Sequence, residues 1–220
     1  MQPRTMFHFG KLIWSSALFV GVLASSAGNV RASGAPWEIG SRRELFVDDA
    51  LVEKRTGKAE LRLHHPVPRD VAITHDAPWE GSATGYHSIF QDGDRYRMYY
   101  RGWHLAVEAG KLKSNAHPMF YCYAESRDGI RWTRPELGLH KFQGSKANNI
   151  VMVGGPVGAM TLDMENAAFF RDANPQAAPD ARYKALVHTR KPNGMGAFKS
   201  ADGLRWSPMS DAPVITAGAF

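Results

Sequence analysis

Glu125-Ser126-Arg127-Asp128-Gly129-Ile130-Arg131-Trp132 returns later in the chain as Lys199-Ser200-Ala201-Asp202-Gly203-Leu204-Arg205-Trp206. Each copy sets Asp-Gly between an apolar-alternating run and a Trp, the pattern of a tight hairpin between two strands. Repetition at this spacing predicts a chain built from similar four-stranded sheets, the unit of a β-propeller.

The same order extends upstream of each copy. In the first repeat, Tyr86-His87-Ser88-Ile89-Phe90 reads as a strand, Gln91-Asp92-Gly93-Asp94 as a turn and Arg95 to Arg101 as a second strand. A loop rich in Lys and His follows, then a third strand from Met119 to Glu125 and a fourth at Ile130-Arg131-Trp132. In the second repeat the strands fall at Asn166 to Phe170, Arg182 to Val187, Gly196 to Lys199 and Leu204 to Trp206. Asn148 to Val153 supplies a further short strand between the repeats, and no amphipathic helical period appears. The expected fold is all-β, of the β-propeller type, with about the first two blades in residues 85–220. Because propellers close with about four or more blades, the chain is expected to be an amino-terminal portion of a longer protein.

Residues 1–32 read as a secretory signal peptide. Arg4 and Lys11 precede the short apolar run Leu12 to Ala24, and small residues end at Ala27 or Ala32. That run is too short for a comfortable membrane span, so the expected product is secreted or periplasmic, with no membrane association after cleavage. The formal charge of +6 is halved when Arg4, Lys11 and Arg31 leave, and no nucleic-acid partner is expected. Residues 33–84 form a lead-in segment whose one apolar stretch is Leu45-Phe46-Val47. Cys122 is the single cysteine, so no intrachain disulfide forms, and its place in an alternating run marks a buried thiol.

Arg95-Tyr96-Arg97-Met98-Tyr99-Tyr100, Ser126 through Leu139 and Asn148-Asn149-Ile150-Val151 resemble secreted five-bladed propeller proteins. These are similar to glycoside hydrolase families 32 and 43, the invertase and arabinanase type. Leu45 to Asp49 and the run from Asn174-Pro175 to Leu186 resemble the same group. The resemblance implies cleavage of a poly- or oligosaccharide by carboxylates at a central funnel, each at the start of a blade's inner strand. Two carboxyl groups must flank the scissile bond, and their separation decides between retention and inversion. The Asn-Asp-Pro-Asn sequence of the invertase type is absent, and Glu80-Gly81-Ser82-Ala83-Thr84-Gly85 stands in its place. The expected catalytic residues are therefore Glu80, Asp163 and Glu165, with His87 and Asp172 binding substrate. Arg171-Asp172 resembles the Arg-Asp-Pro of that type, with Ala173 for proline. The general acid is expected beyond Phe220.

Other polar residues read as structural. Asp128 and Asp202 are turn residues, and they lie one residue closer to their Gly than in the sialidase box. Trp132 and Trp206 are packing elements between blades. Lys111, Lys113 and His117 are a solvated loop cluster, and Asp48-Asp49 is a strand end. The histidines at 64, 65, 75, 87 and 104 lack metal-ligand spacing such as His-Glu-x-x-His, so neither a metal nor a cofactor is expected. Two further readings remain open: a carbohydrate-binding propeller without catalysis, and a sialidase-like enzyme.

Overall fold

The computed structural model describes residues 38–114 and 116–218; the predicted signal peptide at 1–32 lies outside them. The chain divides into two units, Met1–Val67 and Pro68–Phe220. Over 38–67 the first contains bends and turns but no strand among the described residues. Leu45, Phe46 and Val47 are exposed there rather than forming the expected strand.

The second unit is all-β. Among the described residues eleven strands run in chain order: β1 (Ala83–Asp92), β2 (Arg95–Trp103), β3 (Ala106–Glu108), β4 (Lys111–Lys113), β5 (Phe120–Ser126), β6 (Ile150–Val153), β7 (Gly155–Val157), β8 (Met160–Arg171), β9 (Tyr183–Lys191), β10 (Asn193–Ser200) and β11 (Ser207–Pro208). They make a sheet of order β1-β2-β5-β6, a sheet of order β11-β10-β9-β8-β7, and a separate β3-β4 ribbon. All their pairings are antiparallel. The Lys- and His-rich loop thus carries a hairpin that the sequence did not announce.

The expected fourth strands are corrected. Ile130-Arg131 and Leu204-Arg205 are bends, Trp132 and Trp206 are irregular, and the outer strands are β6 in one sheet and β11 in the other. The reason lies in the repeated sequence itself. Asp128 Oδ1 accepts the backbone N–H of Ile130 (2.8 Å) and Arg131 (2.7 Å), Ser126 Oγ accepts that of Gly129, and the Arg131 guanidinium closes on Asp128 Oδ2. Asp202, Ser200, Gly203, Leu204 and Arg205 repeat these contacts one for one. Side-chain oxygens take the donors that a strand ladder would have used. The two aspartates are turn residues, as expected.

Strand β2 is central and buried on both sides, so its alternation divides the unit. Tyr99 faces the second sheet, stacked on Phe169 of β8 (4.6 Å between centroids, 5° between planes), with Trp206 edge-on to both rings. Tyr121, Tyr123, Leu162, Met164 and Val187 fill the same core. Met98 and Tyr100 face the other way, into a second core with Phe120, Cys122 and Ile150, against which Trp79 and Trp132 pack. Polar contacts cross the seam between the sheets. The Tyr99 hydroxyl donates to Gly203 O (2.8 Å), Arg97 Nη1 to Asp202 O (2.8 Å), and the Phe169 N–H to Ser88 Oγ (3.1 Å).

Gly203 has φ +77°, and a Cβ there would lie 2.7 Å from the Tyr99 hydroxyl and 2.8 Å from Arg97 Nη1. Gly93, in the β1–β2 turn, has φ +66° and open space around it. Both positions disfavour alanine for backbone reasons, by about 1–2 kcal/mol. Gly203→Ala must in addition displace a buried hydroxyl from its acceptor, for about 1–3 kcal/mol more. Urea unfolding of the two variants should therefore rank Gly203→Ala well below Gly93→Ala. Equal losses would mean that the repeated loop does not bear on the first sheet.

Candidate functional site

Strand β8 is broken where the sequence sets two acids around a methionine. Its pairing with β9 shifts between Leu162 and Ala167, and the buried Met164 takes φ +60°. A bulge re-aims the side chains beside it, and a non-glycine residue in this region is strained. Asp163 and Glu165 thus lie within a strand rather than ahead of one, as the sequence had suggested. Asp163, Glu165 and His188 of β9 have ligand atoms within 4.8 Å of one another.

The two carboxylates differ in their surroundings. Asp163 is buried; its Oδ1 accepts the Glu165 N–H (2.8 Å), and its Oδ2 lies 2.8 Å from His188 Nδ1 and 3.8 Å from Arg190 Nη2. On the far side of the ring, His188 Nε2 lies 3.1 Å from Asn193 Oδ1 on β10. Glu165 is exposed. Its carbonyl accepts a hydrogen bond from Arg101 Nη1 (3.0 Å) on β2.

The Arg101 guanidinium sits over the rings of Tyr86 (4.5 Å) and Trp103 (4.7 Å), and its buried Nε has no hydrogen-bond partner among the described residues. A cavity of about 580 Å³ opens here between Arg101, Trp103, Leu112, Lys113, Glu165 and Arg190. A smaller one of about 240 Å³ reaches Asp163 and His117. Lys113 pairs with Glu108 across the ribbon, and His117 stacks between His104 and Phe120. The loop cluster expected to be merely solvated therefore borders both cavities.

Glu80 belongs to a different network, on the Tyr100 face of β2. It is fully buried, and its carboxylate meets four donors. Oε1 accepts from the Tyr100 hydroxyl (2.5 Å) and lies 3.3 Å from His75 Nδ1. Oε2 accepts from the Ala77 N–H (2.8 Å) and Arg134 Nη1 (2.6 Å), while Arg134 Nη2 reaches Asp76 (2.8 Å). Asn149 donates to the Tyr100 oxygen and accepts from the Trp79 indole. Burial pushes the Glu80 carboxyl up, but the hydrogen bonds from His75, Tyr100 and Ala77 and the charge of Arg134 together hold it below the usual range. Burial, with Glu80 nearby, raises the Cys122 thiol well above its ordinary value.

His87, on β1, closes this network at the surface: its Nε2 lies 3.2 Å from His75 Nε2. Partial desolvation of the otherwise exposed ring and the neighbouring His75 lower its pKa. Asp172 stands apart from both clusters. At the end of β8 it accepts the Asn174 N–H (2.9 Å) and pairs with Lys184, which anchors the β8–β9 connection.

Of the residues singled out from sequence, Asp163 and Glu165 come together, Glu80 joins His87 through His75, and Asp172 is separate. Sequence reasoning missed Arg101, Trp103 and Arg190 around the cavity, His188 beside Asp163, and His75, Tyr100 and Arg134 around Glu80. No family profile matches the chain, nor does any curated protein or solved structure.

Glu80 carries a stability prediction. A carboxyl held below its unfolded value contributes stability above the usual Glu range, and loses it as the pH falls through the depressed value. Glu80→Gln leaves Arg134 without its buried partner and should cost on the order of 3 kcal/mol at neutral pH. The gap between the native protein and this variant should narrow on acidification below the ordinary Glu pKa. Urea midpoints across that range measure it, and a gap independent of pH would show that Glu80 is not ionised in the fold.

Proposed function

We propose that the chain forms propeller blades of a glycoside hydrolase-like protein, exported from the cell, that acts on a poly- or oligosaccharide. The observation that carries this reading is the strained bulge of β8. It holds an exposed carboxylate (Glu165) and a buried one (Asp163) beside a cavity walled by Arg101 and Trp103. Strain of this kind persists where the surroundings over-determine it, and it clusters at functional sites. An indole and a guanidinium stacked together suit a sugar, whose ring faces are apolar and whose rim carries hydroxyl groups. The order β1-β2-β5-β6 in one sheet and β8-β9-β10-β11 in the other, with the short β7 added at the start of β8, and the contact of β1 with β8 through Ser88 and Phe169 fit radially set blades.

In this reading Glu165 is the group that reaches the sugar, either attacking the anomeric carbon or activating the water that does. Asp163 is a positioning residue, its oxygens engaged by the Glu165 N–H and by His188. Arg101 and Arg190 supply positive charge beside the reacting oxygens. Glu80, closed in by four donors, and His87 lie outside the lining of this cavity and take no part in the step.

A second reading, a carbohydrate-binding protein without catalysis, draws on one specific observation. Both Asp163 and Glu80 are engaged in internal pairs, leaving Glu165 alone exposed among the three expected carboxylates. Reducing-sugar release from a polysaccharide panel separates the readings. Hydrolysis by the whole protein that falls at least about 10³-fold in Glu165→Gln, with an unchanged melting temperature, supports the enzyme. Retained glycan binding with no product in either form supports the binding protein. Undiminished hydrolysis in Glu165→Gln combined with Asp163→Asn removes the assignment.

A further inference from the structure

Twelve positions apart in the chain, His75 and His87 direct their Nε2 atoms at each other across 3.2 Å. We propose that this pair is a binding site for a first-row divalent transition metal such as zinc, distinct from the carboxylate cavity and independent of the saccharide reading. Two imidazole nitrogens bound at about 2.0–2.1 Å to one tetrahedral ion stand roughly 3.3 Å apart. The pair therefore has the bite of such a site without rearrangement.

Three observations point the same way. The other nitrogen of His75 faces the Glu80 carboxylate at 3.3 Å, and a carboxylate behind a metal-binding histidine fixes its tautomer and raises its basicity. The Tyr100 ring holds both imidazoles in place, its centroid 4.5 Å from that of His75 and 5.7 Å from that of His87. The charges around the pair are unbalanced: Glu80 and Asp76 share the single Arg134 guanidinium, and the phenol of Tyr100 and the thiol of Cys122 are neutral. A cation at the pair restores that balance. His87 is exposed, so the remaining coordination positions are open to water or to an oxygen ligand. Asp163, Glu165 and His188 offer one ligand atom more than the pair, but Arg190 and Arg101 already bring positive charge to that cluster.

On binding, the ion replaces the proton between the two Nε2 atoms, and that proton moves to Nδ1 of His87, so that both rings bind as neutral imidazoles. The probes are Zn²⁺, by calorimetry on chelator-stripped protein, and Co²⁺, by its visible absorption. One equivalent should bind. His87→Gln, at an exposed position and checked for an unchanged circular-dichroism spectrum, should weaken binding at least about 100-fold. His75→Gln should do the same, and Glu80→Gln should weaken it about 10- to 100-fold. The affinity of His188→Gln should follow the native protein. Absence of binding at millimolar metal, an affinity that His87→Gln leaves unchanged, or loss in His188→Gln instead would each overturn the site and leave the pair as an internal N–H···N hydrogen bond.

Discussion

Burial of β2 on both faces is the constraint on which the rest of this structure depends. A strand flanked by strands and covered above and below must satisfy two surroundings with residues that alternate strictly. Arg97, Tyr99 and Arg101 therefore serve one side, and Met98, Tyr100 and Gly102 the other. On the first side Tyr99 makes the aromatic seam to β8 and Arg101 braces the bulge. On the second, Tyr100 caps Glu80, and Gly102 leaves room for the chain at Trp79 and Glu80, where a Cβ would lie 2.8 Å from the Trp79 carbonyl oxygen. A one-residue slip would exchange the two sets and leave both cores and both polar networks without their members.

Much of this was legible in the chain because period-two patterning is local. The strands near Tyr86, Arg95, Met119, Arg182 and Gly196 were all placed from alternation and turn residues, and the all-β class followed from them. The Asp-Gly repeat was legible as a repeat but misleading in kind. Its Ser and Asp side chains satisfy the backbone themselves, so the segment forms a capped loop and the outer strand forms later. A pattern of residue types cannot distinguish a hairpin from a loop that supplies its own hydrogen-bond acceptors. That difference lies in where the side-chain oxygens point.

The polar clusters were less legible, for a related reason. Asp163 and Glu165 were visible because they are neighbours in sequence. The bulge that brings them together was not, since Met164 is an ordinary apolar residue whose positive φ is imposed by the mismatch of β8 against β9. His75 and His87 show no metal-ligand spacing in the sequence because patterns such as His-Glu-x-x-His belong to a single element. Here one imidazole comes from the irregular segment before β1 and the other from β1 itself, and only the fold sets their spacing. Arg101 looked like one more charged residue in an alternating strand, yet its side chain is nearly as buried as those of its aromatic neighbours.

The two networks also divide the electrostatic work. Around Asp163 the carboxylate is matched by His188 and Arg190, and the exposed Glu165 stands beside Arg101, so incoming polar groups meet both signs of charge. Around Glu80 the donors outnumber the oxygens they bind, yet the single guanidinium is shared with Asp76, so the balance stays negative up to the surface at His87. A buried carboxylate that meets four donors is rigid, and rigidity passes through His75 to the exposed ring. The irregular lead into β1 thereby acquires a fixed end at the sheet, held by Arg134, Tyr100 and the Trp79–Asn149 hydrogen bond. Residues 75–80 have no regular structure of their own, yet they keep a defined path because the buried Glu80 charge is satisfied where Arg134, Tyr100 and His75 meet it.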